Sequence, residues 1–239
     1  MPIMVHPSPV RPDPRISINK LAEYMSASFV RQRTIVQNAK RPKPFITNIY
    51  GPARDAIIEH LLAGKLGDTT GLNNVVAAIQ ALPGAPGTAE RDRRCCIEAI
   101  GHYIEMLETV LPAEVPHLQD YDLSKGPTSA LIELGGIQVS VRPELTLTHQ
   151  KGSRRRAGAI KLYLGKNHPL DEDSGTALAC VLRHWVDGAT SPGLPVAPDR
   201  CHVIDVFAER VYTAPRAWKN RMKNVAAACD EIALKWPTV

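Results

Sequence analysis

The 239-residue sequence contains no apolar run of the roughly eighteen residues that a membrane-spanning helix needs, so no such helix and no membrane partner are expected. Its opening segment, MPIMVHPSPVRPDPR, lacks a continuous apolar stretch and is broken by five prolines, which argues against a secretory leader there. Cysteine is scarce: five residues, an odd number, with no Cys-x-x-Cys pair and no regular framework. Free thiols in a reducing cytosol are therefore expected, and a cytoplasmic location with them. Neither G-x-G-x-x-G nor H-E-x-x-H occurs, and no internal repeat is visible. Gly165-Lys166-Asn167 follows a strand pattern, but the residue five positions before Gly165 is Ile160, so the phosphate-loop spacing fails. Nucleotide hydrolysis is disfavoured.

Apolar residues make up 44% of the chain and charged residues 22%, enough of the first to bury a core. The balance of 29 basic and 24 acidic residues, net +5, mildly favours an anionic partner. The basic residues cluster. Residues 11–43 carry Arg11, Arg15, Lys20, Arg31, Arg33, Lys40, Arg41 and Lys43 against Asp13 and Glu23. Residues 151–166 carry Lys151, Arg154, Arg155, Arg156, Lys161 and Lys166 with no acid, and residues 210–223 carry Arg210, Arg216, Lys219, Arg221 and Lys223, again with none. Such clusters set up local positive potential, and phosphate backbones are the commonest polyanion to meet it. Solvated faces and loops are the bland alternative.

Residues 1–15 read as a disordered, Pro-rich basic arm, and residues 16–86 as a helical region. Ser17 is placed to cap a helix that carries Ile18, Leu21, Ala22 and Met25 at helical spacing. Ser26-Ala27-Ser28 breaks it, and a second helix with Phe29, Val30, Ile35 and Val36 inward runs to Arg41-Pro42. A helix–turn–helix with its polar face on DNA is one reading of this pair; an ordinary helical hairpin is the other. Further helices are predicted at about 52–63 and 71–82, the first ending at Gly64 and the second at Pro83-Gly84.

Residues 87–239 read as a second unit. Ile97, Ile100, Ile104, Leu107 and Leu111 form a helical seam that Pro112 stops, and loop signals follow to Pro127. Leu131–Leu134, Gly135-Gly136 and a long strand from Ile137 to Leu147 read as a β-hairpin. The basic loop 150–156 leads to a third strand, 159–164, in which Ile160, Leu162 and Leu164 alternate with Lys161 and Tyr163. A helix with the seam Leu178, Val181, Leu182 and Trp185, an apolar strand over Val203–Phe207, and a final helix from Pro215 complete the chain. The class predicted is α+β: an N-terminal helical bundle, then an αβββαβ mixed-sheet core with a C-terminal helix.

That order resembles the core of the PD-(D/E)XK, or restriction-endonuclease-like, superfamily over roughly residues 88–213. The resemblance implies an acid, often after a proline, from the second core strand and a D/E-x-K triplet from the third. The acids hold a divalent cation that activates water against a phosphodiester, and the lysine sits beside that water. Pro143-Glu144 corresponds to the first element and Lys161 to the lysine. The triplet here is Ala159-Ile160-Lys161, so the second acid must come from elsewhere: Glu98, Glu105, Glu133 or Asp205. Asp205 stands out because it interrupts an apolar strand, where a charge needs a partner; a capping contact or an arginine is its structural alternative.

On this reading Glu144, Lys161 and Asp205 are the catalytic candidates, with Glu144 and Asp205 holding Mg²⁺ if the core is active. Lys151, Arg154, Arg155, Arg156, Lys166, Arg216, Lys219 and Lys223 are the candidates for binding nucleic acid, DNA before RNA. The resemblance implies an accessory part of bacterial defence or a mobile element. Cys180, His184, Cys201 and His202 are chemically suited to zinc but lack the usual spacing. The competing class is a non-enzymatic subunit of a protein complex, with Trp218 and Trp236 in an interface.

Overall fold

The structure is a computed structural model, and it describes residues 10–43, 48–83, 87–116, 118–151, 154–189 and 196–239. Among them, Arg15–Ser17 (β1) leads into helices Ile18–Ser26 (α1), Phe29–Lys40 (α2), Gly51–Ala63 (α3), Thr70–Ala81 (α4), Thr88–Glu108 (α5) and Val110–Glu114 (α6). Strands Asp122–Lys125 (β2), Leu131–Leu134 (β3), Ile137–Ser140 (β4), Leu145–Lys151 (β5) and Arg154–Tyr163 (β6) follow. Helix Glu172–Ala189 (α7), strands Val196–Asp205 (β7) and Arg210–Thr213 (β8), and helix Trp218–Lys235 (α8) close the chain. The class is α+β with a C-terminal helix, as expected.

Local chemistry fixes several boundaries where the sequence places them. Ser17 Oγ accepts the Lys20 N–H at 3.3 Å and caps α1. Gly64, at φ 66°, ends α3 in the left-handed conformation that costs glycine least. Gly135 and Gly136, at φ 51° and 71°, turn β3 into β4 as a two-residue hairpin with positive φ at both central positions requires. Gly135 has a second reason to be glycine: a Cβ there would stand 2.7 Å from the Ala226 carbonyl of α8.

Two sheets form. The larger has the order β2-β5-β6-β7-β8, and the smaller the order β1-β4-β3. In the larger, β2, β5 and β6 are an antiparallel meander, β7 lies parallel to β6 after the α7 crossover, and β8 returns antiparallel. Both faces of this sheet are covered. Ala157, Ala159 and Tyr163 join the apolar cluster of α1, α7 and α8, whereas Ile160, Leu162 and Leu164 join that of α3 and α5. Strand β6 is therefore buried continuously from Ala157 to Leu164. Its alternation marks two dry faces, so Lys161 is 5% exposed and does not lie on a wet one.

Three further differences from the sequence reading have physical causes. The long strand expected from Ile137 to Leu147 is two strands, because Arg142 adopts φ 45° and carries the chain from the small sheet to the large one. The helical seam ends at Glu108 and not at Pro112, which lies within α6, and the stretch expected to be loop from Pro112 to Pro127 contains the end of α6, a 3₁₀ turn and β2, which supplies the first strand of the meander. The helices of residues 16–86 divide between the two faces of the sheet: α1 and α2 pack into one cluster, α3 and α4 into the other. Of the N-terminal arm, residues 1–9 lie outside the described residues, and Arg15 is paired with Gln138 in the small sheet.

Candidate functional site

Strand β5 begins at Leu145, which pairs with Ile160, so Glu144 stands opposite Lys161 where the chain leaves the sheet. At that point β6 would lose its backbone partner, and an orphaned buried N–H is costly. The Glu144 carboxylate takes its place, accepting the Leu162 N–H at 2.7 Å. The Lys161 ammonium donates to both Glu144 oxygens at 2.9 and 3.2 Å and to the Arg142 carbonyl at 2.9 Å. Arg54 Nε of α3 lies 3.4 Å from the same carboxylate. Burial pushes the Lys161 pKa down, and Glu144 pulls it back up in part. The two residues implied by the resemblance are thus brought together.

Asp205 is fully buried and takes different partners. Its carboxylate accepts the Leu170 N–H at 2.8 Å and the Ala208 N–H at 3.2 Å, closing the turn between β7 and β8. Burial raises its pKa, opposed by backbone hydrogen bonds from Leu170, Ala208 and Phe207. A capping contact therefore accounts for the acid in the apolar strand.

A divalent cation on Glu144 would have to displace the Lys161 ammonium, the Leu162 amide or the Arg54 guanidinium. Ala159, at the triplet position, offers no ligand and has no exposed surface. The donors around Glu144 suit a buried ion-pair bracket and not a Mg²⁺ site, and no catalytic step follows from them. Of the alternative acids, Glu98 is ion-paired with Lys166, and Glu133 is exposed on β3. Glu105 joins His102 and Glu209, the one group of three or more potential metal ligands among the described residues. Among the described residues, no three of Cys180, His184, Cys201 and His202 come within ligand distance of one another. Burial raises the Cys180 thiol to about 11, and His202 Nδ1 is 2.9 Å from Thr213 Oγ1.

The basic candidates fall into distinct places. Beyond Thr148, where its pairing with β2 ends, strand β5 continues against β6 through the pairs His149–Arg156, Gln150–Arg155 and Lys151–Arg154. Pairing of β6 with β7 begins only at Ala157. Among the described residues, the end of the β5–β6 hairpin is thus a two-stranded ribbon that outruns both neighbouring strands and carries Lys151, Arg154, Arg155 and Arg156. Arg156 is exposed; the side chains of 149–155 lie outside the described set. Five residues of strand separate Arg156 from Lys161, about 17 Å at the usual rise, so the ribbon stands well away from the Glu144–Lys161 bracket. Lys166 is engaged with Glu98. Arg216, Lys219 and Lys223 are exposed and, among the described residues, form no ion pair, whereas Arg221 binds Asp173 at 2.7 Å.

Trp218 and Trp236, which the competing subunit reading places in an interface, are buried within the chain. Sequence reasoning missed Arg54, His102 and Glu209. The His102-x-x-Glu105 spacing was a usable signal for one half of the last group; nothing local pointed to Glu209. No protein-family model and no curated protein matches the chain.

Proposed function

We propose that the protein binds nucleic acid through the basic β5–β6 ribbon, on a restriction-endonuclease-like core that serves as a scaffold without metal-dependent cleavage. The observation that carries this is the ribbon itself, which extends past β2 and β7 and concentrates Lys151, Arg154, Arg155 and Arg156 at one place. The core reading is supported by the larger sheet and its helices: with α6 and the small-sheet strands β3 and β4 set aside, α5, β2, β5, β6, α7 and β7 run αβββαβ with a parallel last strand, β2 taking the place that the sequence reading gave to residues 131–134. A two-stranded ribbon fits the major groove of B-DNA, whereas the deep, narrow major groove of A-form RNA excludes it, so duplex DNA is the favoured partner. Exposed Arg216, Lys219 and Lys223 supply further backbone contacts that fix position without reading sequence. No helix among the described residues is long and apolar enough to cross a membrane.

The test is fluorescence anisotropy with labelled DNA and RNA duplexes of one sequence at low salt. DNA binding that weakens by about tenfold or more in the Arg154→Ala/Arg155→Ala/Arg156→Ala variant supports the proposal, since several phosphate contacts would be lost. Failure of the wild-type chain to bind either duplex at about 50 mM salt overturns it. A second reading, a protein-binding subunit, rests on Phe29 and Val30, which the sequence pattern turns inward but which are 71% and 76% exposed, and on Leu234, 78% exposed. Lys235 Nζ lies 4.9 Å from the Phe29 ring, which sets the start of α2 beside the end of α8. Under that reading the triple variant co-purifies with a partner as the wild type does, and Phe29→Ser does not.

A further inference from the structure

We infer that His102, Glu105 and Glu209 form a binding site for a borderline divalent metal ion of the Zn²⁺ class, joining α5 to the turn between β7 and β8. One ligand atom from each of the three lies within 4.8 Å of the other two. His102 and Glu105 are three apart on α5 and share a face, and Glu209 arrives from a part of the chain 107 positions away. Its carboxylate meets His102 Nδ1 at 2.5 Å.

Charge separates this group from an ordinary surface cluster. One turn earlier on the same face of α5, Glu98 is neutralised by Lys166. Among the described residues no lysine or arginine pairs with Glu105 or Glu209, so two carboxylates converge on one imidazole with no fixed cation. The His102 ring is steadied by an edge-to-face contact with Phe207, centroids 5.5 Å apart, and Phe207 is steadied in turn by Tyr50 at 5.4 Å. One ligand is therefore held by packing, Glu105 is exposed, and Glu209 is half-buried against the imidazole.

Tetrahedral Zn²⁺ places its ligands about 3.3 Å apart, from metal–ligand distances near 2.0–2.1 Å. The ligand atoms farthest apart, at up to 4.8 Å, need to close by up to about 1.5 Å, and the Glu209 carboxylate must open its direct contact with Nδ1 to share the ion with it. An imidazole nitrogen with two carboxylates selects against Mg²⁺, which prefers an all-oxygen shell, and three protein ligands leave one position for water. The site is independent of the ribbon and of the Glu144–Lys161 bracket, so it stands or falls separately from nucleic-acid binding.

The experiment uses the full chain, stripped with chelator, and titrates Zn²⁺ by calorimetry and Co²⁺ by visible absorption. Expected are a single equivalent of Zn²⁺ with a Kd on the order of micromolar or tighter, Co²⁺ bands of a tetrahedral or five-coordinate site, and no saturable Mg²⁺ binding. His102→Ala and Glu209→Gln should each weaken Zn²⁺ by about tenfold or more, and Glu90→Gln, an exposed acid near the other end of α5, should not. Should either site variant unfold, the wild-type His102 ring resonances, shifted by Zn²⁺ and restored by chelator, carry the test instead. Absence of Zn²⁺ binding, or binding of equal strength in folded His102→Ala, overturns the inference, the latter by sending the metal to cysteines or other histidines.

Discussion

Replacing Lys161 by methionine keeps the aliphatic stem and removes the ammonium. The Glu144 carboxylate is then left buried, with the Leu162 N–H at 2.7 Å and Arg54 Nε at 3.4 Å as its remaining partners, and the Arg142 carbonyl loses its donor. Breaking a buried ion pair from one side costs about 3–5 kcal/mol. Because Glu144 keeps two of its partners, we place Lys161→Met at the lower end, near 3 kcal/mol, against a total stability on the order of 5–15 kcal/mol. For a chain of this size that lowers Tm by about 6–12 °C. Glu144→Gln keeps one acceptor oxygen but strands the ammonium, so its cost should be similar or larger. In the double variant neither charge remains unpaired, and the loss should fall short of the sum of the single losses by at least about 1 kcal/mol. Urea unfolding of the four proteins, with m values compared to exclude a changed denatured state, measures all of this. Single-variant losses under about 1 kcal/mol, or strictly additive ones, would refute the reading of Glu144 and Lys161 as a coupled bracket.

Three other outcomes follow from particular contacts. Gly135→Ala should destabilise by about 1–3 kcal/mol in thermal or urea unfolding, because it combines φ 51° with a Cβ 2.7 Å from the Ala226 carbonyl. Gly64→Ala, also at positive φ but with open space around it, should cost less. His60 is buried beside the Tyr103 hydroxyl at 3.1 Å, and burial lowers its pKa below the usual 6.5. The unfolded chain thus takes up the proton first, so the stability due to His60 is complete above pH 6.5 and declines as pH falls from there toward the lowered folded value. Unfolding measured from pH 8 to 5 should show this slope, and it should be absent in His60→Gln. Ala159→Asp, which restores the acid of the triplet, should lower stability by several kcal/mol through burial of an unpaired carboxylate, and should yield no cleavage of plasmid DNA with Mg²⁺.

What could be read in the sequence, and what could not, divides along the range of the interactions concerned. The caps at Ser17 and Gly64 and the Gly135-Gly136 turn are local, set by one or two residues, and the helix boundaries follow from them. The resemblance to a nuclease core brought Glu144 and Lys161 into one reading, and they do meet. The role of Lys161 was hidden because alternation along β6 looks the same whether a face is wet or covered, and only the placement of α1, α7 and α8 decides it. The break in the long strand turns on a single non-glycine residue, Arg142, in a left-handed conformation that its side chain does not announce. Asp205 was legible as a charge in need of partners, but those partners are main-chain amides of Leu170 and Ala208, which carry no residue signature. His102 and Glu209 were illegible as a pair because the fold alone joins them.

The basic ribbon is tested most directly by the salt dependence of DNA binding. Log K for a DNA duplex, plotted against log salt for the wild type and for Arg154→Ala/Arg155→Ala/Arg156→Ala, should give two lines of different slope. Each lost phosphate contact lowers the steepness by about 0.9, so loss of two or three contacts should reduce it by about 1.8–2.7. Parallel lines of equal affinity would contradict the account and leave the ribbon without a role in holding DNA.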